Sequence, residues 1–163
     1  MNDALLIPDW PVPQGVCAMV TTRCCGDGQS VAPYAHFNLA AHVGDSAVAV
    51  ACNRLRLHRV PFEVPLEPLW LSQVHGTRVV AAEQATAGVE ADASVAHSPG
   101  RVCAVLTADC LPLLLCAEDG SAVAAAHAGW RGLSNGVFEA TVAAMQSPPE
   151  SLLAWLGPAI GPP

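Results

Sequence analysis

Three short apolar runs between residues 101 and 127 constrain the fold more than any other feature of the sequence. They cover residues 101–107, 111–117 and 121–127, and each is rich in Val, Leu or Ala. Runs of this length, bounded by turn residues, are typical of strands. Asp119 and Gly120 separate the last two runs, and an Asp-Gly pair is a strong signal for a β-hairpin. The sequence therefore predicts a sheet that contains a hairpin.

Helices accompany these strands. Asp45 or Ser46 can cap a helix that runs to about residue 60, and a second helix is predicted over residues 134–145. Further strands are predicted at residues 15–22, 69–75, 77–82 and 152–156. Strands outnumber helices, which predicts a mixed α/β (α+β) fold with helices covering a sheet. The 163 residues favour a single domain.

Composition excludes several classes of protein. The chain is 52% hydrophobic and 13% charged, which excludes intrinsic disorder. A net charge of -7, with arginine as the only strong cation, argues against nucleic acid as a partner. No apolar stretch approaches the roughly 20 residues that a bilayer requires, and the N-terminus carries acid instead of a basic signal region. Seven cysteines, an odd number, favour reduced thiols in a cytoplasmic protein. The oligomeric state is left open.

Three segments place a ligand-type side chain where a predicted strand meets a loop. They carry His75, Cys110 and His127. If the three segments converge, two imidazoles and one thiolate form a set that zinc accepts, with a fourth position open as in catalytic sites. Zinc in such a site activates water. No CxxC or HxxxH spacing is present, so a buried or hydrogen-bonded pair of histidines remains the alternative from spacing alone.

The same segments, in order, resemble the YfiH-type family, which is catalogued as the multicopper polyphenol oxidoreductase (laccase) domain. The main matches are Q-V-H-G at residues 73–76, T-A-D-C-L-P at 107–112, H-A-G-W-R-G at 127–132 and L-G-P-A-I-G-P at 156–162. Shorter matches lie at residues 21–23, 33–34, 38–39, 42–45, 53–54 and 91–93. Members are described as purine nucleoside phosphorylases with adenosine deaminase activity, and as peptidoglycan editing factors.

This resemblance carries expectations about fold and site. It implies a layered sandwich of mixed sheets between helices, similar to bacterial toxin deamidases with a cysteine-histidine pair. It implies that His75, Cys110 and His127 bind zinc. Because the family continues past the motif at residues 156–162, the chain is expected to form one YfiH-like domain, residues 1–163, without the family's C-terminal portion.

The favoured function is a zinc-dependent purine nucleoside phosphorylase with adenosine deaminase activity, acting on adenosine, inosine, guanosine or methylthioadenosine. The expected partners are the nucleoside and phosphate, with neither nucleic acid nor membrane. Multicopper oxidation is disfavoured, because an oxidase with a mononuclear copper and a trinuclear cluster needs on the order of ten histidines. The chain has six. Copper can nevertheless occupy such a site in vitro, since it outcompetes zinc on raw affinity at many sites.

Positive charge near the candidate site suits phosphate. Arg131 lies beside two glycines at the expected start of a helix, where backbone N–H groups favour anions, and a guanidinium binds phosphate in a bidentate manner. Arg54 and Arg23 are further candidates, with a solvated helix position and a loop ion pair as their respective alternatives.

Other polar residues have two interpretations each. Asp109 and Asp92 can shuttle a proton during deamination, or brace a loop or a metal-bound histidine. The remaining candidates can orient ribose or base, or hold loops through hydrogen bonds: Asn38, His42 and Gln73. Trp130 can stack on a base, but a core position is its default.

Two further functions are compatible with the sequence. Cys110 can act as a nucleophile activated by His127, in a hydrolase that removes a wrongly incorporated amino acid from peptidoglycan precursors. Metal dependence separates that enzyme from a zinc enzyme. The third possibility is an inactive domain that binds metal, because family members continue beyond the position of Pro163. Residues 24–27 and the alanines at 40 and 41 also depart from the family pattern.

Overall fold

The computed structural model describes residues 5–24, 28–59 and 64–161. The chain divides into two compact units, one with Met1–Pro8 and Cys17–Pro65 and the other with Asp9–Val16 and Leu66–Pro163. The single domain expected from chain length stays a prediction.

The first unit contains a small sheet and one helix. Strand β1 (Leu5–Leu6) pairs antiparallel with β2 (Val20–Thr21), so the strand predicted over residues 15–22 is mostly loop. Helix α1 covers Ala47–Arg56 and continues as a 3-10 turn over Leu57–Arg59. The hydroxyl of Ser46 accepts the Ala49 N–H at the start of α1, which confirms the predicted cap. The predicted helix end, residue 60, lies outside the described residues.

The second unit is built on a five-stranded mixed sheet. Its strands are β3 (Val79–Ala81), β4 (Ala93–Ala96), β5 (Leu111–Ala117), β6 (Val123–Ala128) and β7 (Leu152–Leu156), in the order β3-β4-β6-β5-β7. β3 and β4 are parallel, whereas β6 runs antiparallel to β4 and β5, and β7 runs antiparallel to β5. As a result, β3, β4 and β5 begin at the edge of the sheet where β6 and β7 end. The hairpin predicted at Asp119-Gly120 joins β5 to β6.

Two short helices replace the single helix predicted over residues 134–145. Helix α2 covers Trp130–Asn135 and α3 covers Val137–Ala144. Gly136 separates them with a φ of 94°, a left-handed conformation that glycine adopts without strain. Helix α3 packs on β4 and β6, and its Val137 joins Leu113, Leu115 and Val95 in the core. No helix in the described ranges is long and apolar enough to cross a membrane.

Two predicted strands are not strands, and two strands were not predicted. Residues 69–75 and 101–107 contribute only the isolated bridges Leu69↔Cys103 and Ser72↔Glu90, because an apolar composition does not by itself supply a continuous pairing partner. The unpredicted strands are the two-residue β1 and β4, and the four residues of β4 are all buried and so show no alternation. The mixed α/β class is confirmed.

Candidate metal centre

The register of the sheet brings three chain segments together at one edge. Leu111 at the start of β5 pairs with Ala128 at the end of β6, so Cys110 lies beside the segment that carries His127. Asp92 immediately precedes β4, and its carbonyl accepts the His127 N–H at 2.7 Å. His75 lies in the loop before β3, the parallel neighbour of β4. The start of β4, the start of β5 and the end of β6 therefore lie at the same edge of the sheet, where the loop of His75 leads into β3.

His75, Cys110 and His127 form one cluster. One ligand atom from each lies within 4.8 Å of the other two, and Cys110 Sγ is 3.9 Å from His75 Nε2. The two imidazole rings meet edge to face, with centroids 4.7 Å apart. Within residues 5–24, 28–59 and 64–161, no other group of three His, Cys or carboxylate donors is gathered this way. His127 is buried, Cys110 half-buried and His75 exposed, so the cluster opens to solvent on one side.

The donors fit a metal ion. Two imidazoles and one thiol are the ligands that zinc prefers, with one coordination position left over. Burial raises the pKa of the Cys110 thiol, and the negative charges of Asp109 and Asp92 raise it further. A cation beside the sulfur offsets those charges and holds the thiolate, which is the ligand form of cysteine.

Gly129 allows the backbone to approach the ligands closely. A Cβ at this position would lie 2.8 Å from Cys110 Sγ and 3.1 Å from His75 Cδ2. The glycine that directly follows β6 thus leaves space for the ligand side chains, where any larger residue would displace them.

Asp92 connects the loop of His75 with the ring of His127. It is fully buried, and its Oδ1 lies 2.9 Å from His127 Nδ1. Its two oxygens also accept the N–H groups of Val74, His75 and Gly76, at 3.2, 2.9 and 2.7 Å. Burial acts to raise the pKa of Asp92, but the hydrogen bonds from His127 and the three N–H groups outweigh it, so this pKa is lowered. The group is held as a carboxylate.

Gln73 fastens the loop of His75 to the segment that leads to Cys110. Its Nε2 donates to the Leu106 carbonyl at 2.7 Å, and its Oε1 accepts the Leu106 N–H at 2.8 Å. Both polar atoms of the amide are thus used in holding loops, which is one of the two roles predicted for this residue.

Comparison with known proteins identifies the family. The family model for multi-copper polyphenol oxidoreductase laccase matches residues 17–163. The chain belongs to this laccase-domain family. The purine nucleoside phosphorylase YfiH of Escherichia coli strain K12 is 52% identical over 159 residues, 97% of this chain and 64% of that protein. The purine nucleoside phosphorylase PA4543 of Pseudomonas aeruginosa is 52% identical over 160 residues, again covering 64% of its length.

Solved structures of the same family share the fold. The crystal structure of Neisseria meningitidis protein NMB0706 matches 96% of this chain and 63% of its own with a TM-score of 0.89 and 48% identity. YlmD from Geobacillus stearothermophilus matches with a TM-score of 0.76 and 30% identity. The chain thus spans less than two thirds of the length of these family members.

Three more residues that were predicted to act at the site lie in the second unit: Asp109, Trp130 and Arg131. Asp109 is exposed, and its carbonyl accepts the Ile160 N–H at 2.9 Å. Trp130 is 74% exposed, so its default assignment to the core is wrong. It is the first residue of α2, directly after Gly129. The guanidinium carbon of Arg131 lies 5.3 Å from the centroid of the Trp130 ring, in cation–π range.

The other predicted substrate-binding residues lie in the first unit. Asn38 Nδ2 donates to Asp45 Oδ2 at 2.9 Å and to the Ala40 carbonyl at 3.1 Å. Arg54 donates through Nε and Nη2 to the Leu39 carbonyl at 2.9 and 2.7 Å, while Arg23 Nε donates to the Ala35 carbonyl at 2.7 Å. His42 is exposed. Their contact with substrate stays a prediction. Residues 25–27, which depart from the family pattern, lie outside the described residues.

The close approach of Gly129 was not predicted from the sequence. A glycine directly after a ligand-bearing strand was the available signal, because glycine is typical of positions where backbone approaches a ligand.

Proposed function

We propose that this protein is a zinc-dependent purine nucleoside phosphorylase that also deaminates adenosine. The observation that carries the proposal is the convergence of His75, Cys110 and His127, whose ligand atoms lie within 4.8 Å of one another. Relatives that are about half identical over nearly the whole chain are named purine nucleoside phosphorylases, which supports this reaction class. The proposed substrates are a purine nucleoside and phosphate, and the proposed location is the cytoplasm.

The metal would be held by His75, Cys110 and His127. Zinc held by these three residues would supply Lewis-acid chemistry at the site. His127 is oriented for this by Asp92, and Gly129 leaves the space that the ligands occupy. The exposed side of the cluster, formed by His75, provides the approach for substrate.

Phosphorolysis requires positive charge near the attacking phosphate and the departing base. In the reaction, a phosphate oxygen forms a bond to the sugar C1′, and the electrons of the breaking C–N bond pass to the purine, which takes up a proton. Arg131 is the proposed phosphate-binding residue, because its guanidinium stays charged and stabilises the developing negative charge. Further proposed substrate contacts are Arg23, Arg54, Asn38 and His42, whereas Gln73 is proposed to hold the loop of His75.

Three exposed side chains that are close in sequence to the ligands complete the proposed site. Trp130 offers an aromatic face for the purine, and Arg131 lies against that ring. Asp109 directly precedes Cys110 and is exposed, so it is proposed to exchange a proton with the base during deamination. Cys110 and His127 act in this scheme through the metal.

Two imidazoles and one thiolate are ligands of zinc, and they are also the ligands of blue-copper sites, which add a weak axial methionine. Met145 of the second unit is buried in the apolar core, so zinc is the proposed metal. In the second unit, His97 follows β4 at the end of the sheet opposite to Asp92 and is not part of the cluster. Copper binding in vitro is compatible with the same donors.

The test is incubation of zinc-loaded protein with adenosine and inorganic phosphate. Chromatography should show adenine with ribose 1-phosphate, together with inosine or hypoxanthine. His75→Ala should abolish all products, whereas His97→Ala, a matched change at an exposed histidine, should leave them unchanged. Release of no product by the zinc-loaded protein, or equal release by His75→Ala, would refute the proposal.

One observation favours the second candidate, a Cys-His hydrolase that edits peptidoglycan precursors. His127 is oriented by Asp92, and one of its ring nitrogens lies within 4.8 Å of Cys110 Sγ. A thiol beside a base that is itself held by a carboxylate is an arrangement that activates nucleophiles. The raised pKa of Cys110 argues against it, because the attacking species is the thiolate. Chelation separates the two: a thiol hydrolase keeps its activity, whereas the phosphorylase loses it and recovers with zinc. Zinc binding with neither activity would indicate the third candidate, an inactive metal-binding domain.

A further inference from the structure

Asp92 has an unusual set of partners for a buried carboxylate. Its relative exposure is 0%, and its two oxygens accept four hydrogen bonds. Oδ1 accepts the backbone N–H of His75 and faces Nδ1 of His127, both at 2.9 Å. One oxygen atom therefore contacts both histidines of the candidate metal centre.

The contact to His127 determines which nitrogen of that ring can bind a metal. A carboxylate only accepts hydrogen bonds, so Nδ1 must carry the proton. Nε2 is then left as the ligand atom, with its lone pair free. The backbone N–H of His127 also donates to the Asp92 carbonyl, at 2.7 Å, so the two residues are joined at ring and backbone.

The contact to His75 acts through the backbone. His75 has a φ of 60°, a conformation that few residues other than glycine adopt. Val74, His75 and Gly76 point three successive N–H groups at the Asp92 carboxylate, at 3.2, 2.9 and 2.7 Å. A concave arrangement of backbone N–H groups is an anion site, and here a side chain of the same protein fills it. The carboxylate thus stabilises a turn that would otherwise be unfavourable.

We propose that Asp92 is the positioning residue of the metal centre: it holds both histidine ligands at once and thereby sets the metal affinity. It does not exchange protons with substrate, because it is buried and both its oxygens are occupied. The exposed Asp109 is left as the carboxylate that can. This inference rests on the metal centre of the proposed function and is independent of the reaction catalysed there.

The first test measures zinc affinity by competition with a chromophoric chelator. Asp92→Asn keeps the shape of the side chain but turns an NH2 group toward N–H donors. We expect zinc to bind about 10–100-fold more weakly, the loss typical when an outer partner of a ligand is removed. Asp119→Asn is the matched control, because Asp119 also accepts a backbone N–H, that of Ser121 at 2.9 Å, in the exposed turn at the other end of β5. Its zinc affinity should equal that of the wild type.

The second test uses only the wild-type protein, so it gives an answer even if Asp92→Asn does not fold. Nitrogen NMR should show His127 protonated at Nδ1 in the metal-free protein. The amides of residues 74–76 should exchange with solvent much more slowly than the Ser121 amide, which is bonded to an exposed carboxylate.

Three results would overturn the inference. They are an unchanged zinc affinity in folded Asp92→Asn, protonation of His127 at Nε2 alone with Nδ1 unprotonated, and amides of residues 74–76 that exchange as fast as that of Ser121. A wild-type protein that fails to bind zinc would refute the metal centre itself and the inference with it. Wild-type binding with an unchanged Asp92→Asn affinity would refute only the role of Asp92.

Discussion

Each compact unit contains one fully buried polar side chain with four partners, and the two differ in what those partners do. In the first unit, Asn53 accepts the Gln29 N–H at 2.8 Å and donates to the Ser30 hydroxyl and to two backbone carbonyls. In the second, Asp92 accepts three backbone N–H groups and the ring of His127. Both residues have a relative exposure of 0%.

The difference lies in the atoms that remain available. The partners of Asn53 are the atoms of a loop, and their hydrogen bonds close that loop. The partners of Asp92 include the backbone N–H of His75 and the ring of His127, and both histidine rings lie close to Cys110. The buried amide of Asn53 thus closes a loop, whereas the buried carboxylate of Asp92 contacts residues whose side chains carry further donor atoms.

Removing a metal ligand should have the largest effect on zinc affinity, and it tests the role assigned to the cluster around Asp92. Cys110→Ser replaces the thiolate by a hydroxyl, a poor zinc ligand. The loss of zinc affinity should exceed the roughly 10–100-fold loss expected from changing an outer partner. The control is Cys17→Ser, because Cys17 is exposed whereas Cys116 is buried in the sheet. This variant should bind zinc with the affinity of the wild type. Calorimetric titration with zinc measures both.

Removing Asn53 tests the structural side. Asn53→Ala leaves several buried backbone groups without partners, and each costs about 1–3 kcal/mol, so the free energy of unfolding should fall by about 3 kcal/mol or more. Urea denaturation measures it, with Asn135→Ala at the exposed end of α2 as the control. Below the unfolding transition, the zinc affinity of Asn53→Ala should be unchanged. A zinc affinity that falls together with stability would contradict the separation of the two roles.

Gly129→Ala sharpens the comparison from inside the site. The added Cβ would meet Cys110 Sγ at 2.8 Å and His75 Cδ2 at 3.1 Å, so the ligands must move apart. Overpacking of this kind costs about 1–3 kcal/mol, and here we expect it to appear as weaker zinc binding. Gly161→Ala, where a Cβ meets nothing within 4 Å, is the matched control. Equal zinc affinities for the two variants would show that the ligands are not held as described.

Thiol chemistry gives the smallest effect and compares two half-buried cysteines, Cys103 and Cys110, of which only Cys110 belongs to the cluster. Burial raises the pKa of Cys103 to about 11, with the charge of Glu83 acting in the same direction. The folded protein thus keeps this proton up to higher pH than the unfolded chain, whose thiol pKa is about 8.5. The stability that Cys103 contributes is full below about pH 8.5 and is lost as the pH rises through about 11. At pH 8, mass spectrometry after alkylation should find Cys103 unmodified with or without zinc, and Cys110 modified only without zinc. Rapid alkylation of Cys103 in the folded protein at pH 8 would contradict the raised pKa of its thiol.

The sequence predicts those parts of the fold that depend on local patterns. Strands β5 and β7 occupy the predicted residues, because each is a continuous apolar run between turn residues. Strand β4 escapes prediction because its four residues are buried on both faces by elements distant in sequence. The break between α2 and α3 depends on the conformation of Gly136, which the helical pattern does not reveal.

For the site, residue types were predictable and geometry was not. His75, Cys110 and His127 could be chosen because they are metal ligands at strand boundaries, and the resemblance to the family made them a set. Their convergence depends on the register of β4, β5 and β6, which no local signal fixes. The sequence left two roles open for Asp92, bracing a histidine or transferring a proton. Only the hydrogen bonds of its carboxylate, which the sequence does not reveal, distinguish the two roles.

The central claim is that His75, Cys110 and His127 bind one metal ion together, and cobalt substitution tests it most directly. Titration of the metal-free protein with Co²⁺ should produce a tetrahedral visible spectrum with a thiolate charge-transfer band that saturates at one equivalent. The band should disappear in Cys110→Ser, and the visible spectrum should change in His75→Ala and His127→Ala. A titration without saturation at one equivalent, or a charge-transfer band that persists in Cys110→Ser, would contradict the claim.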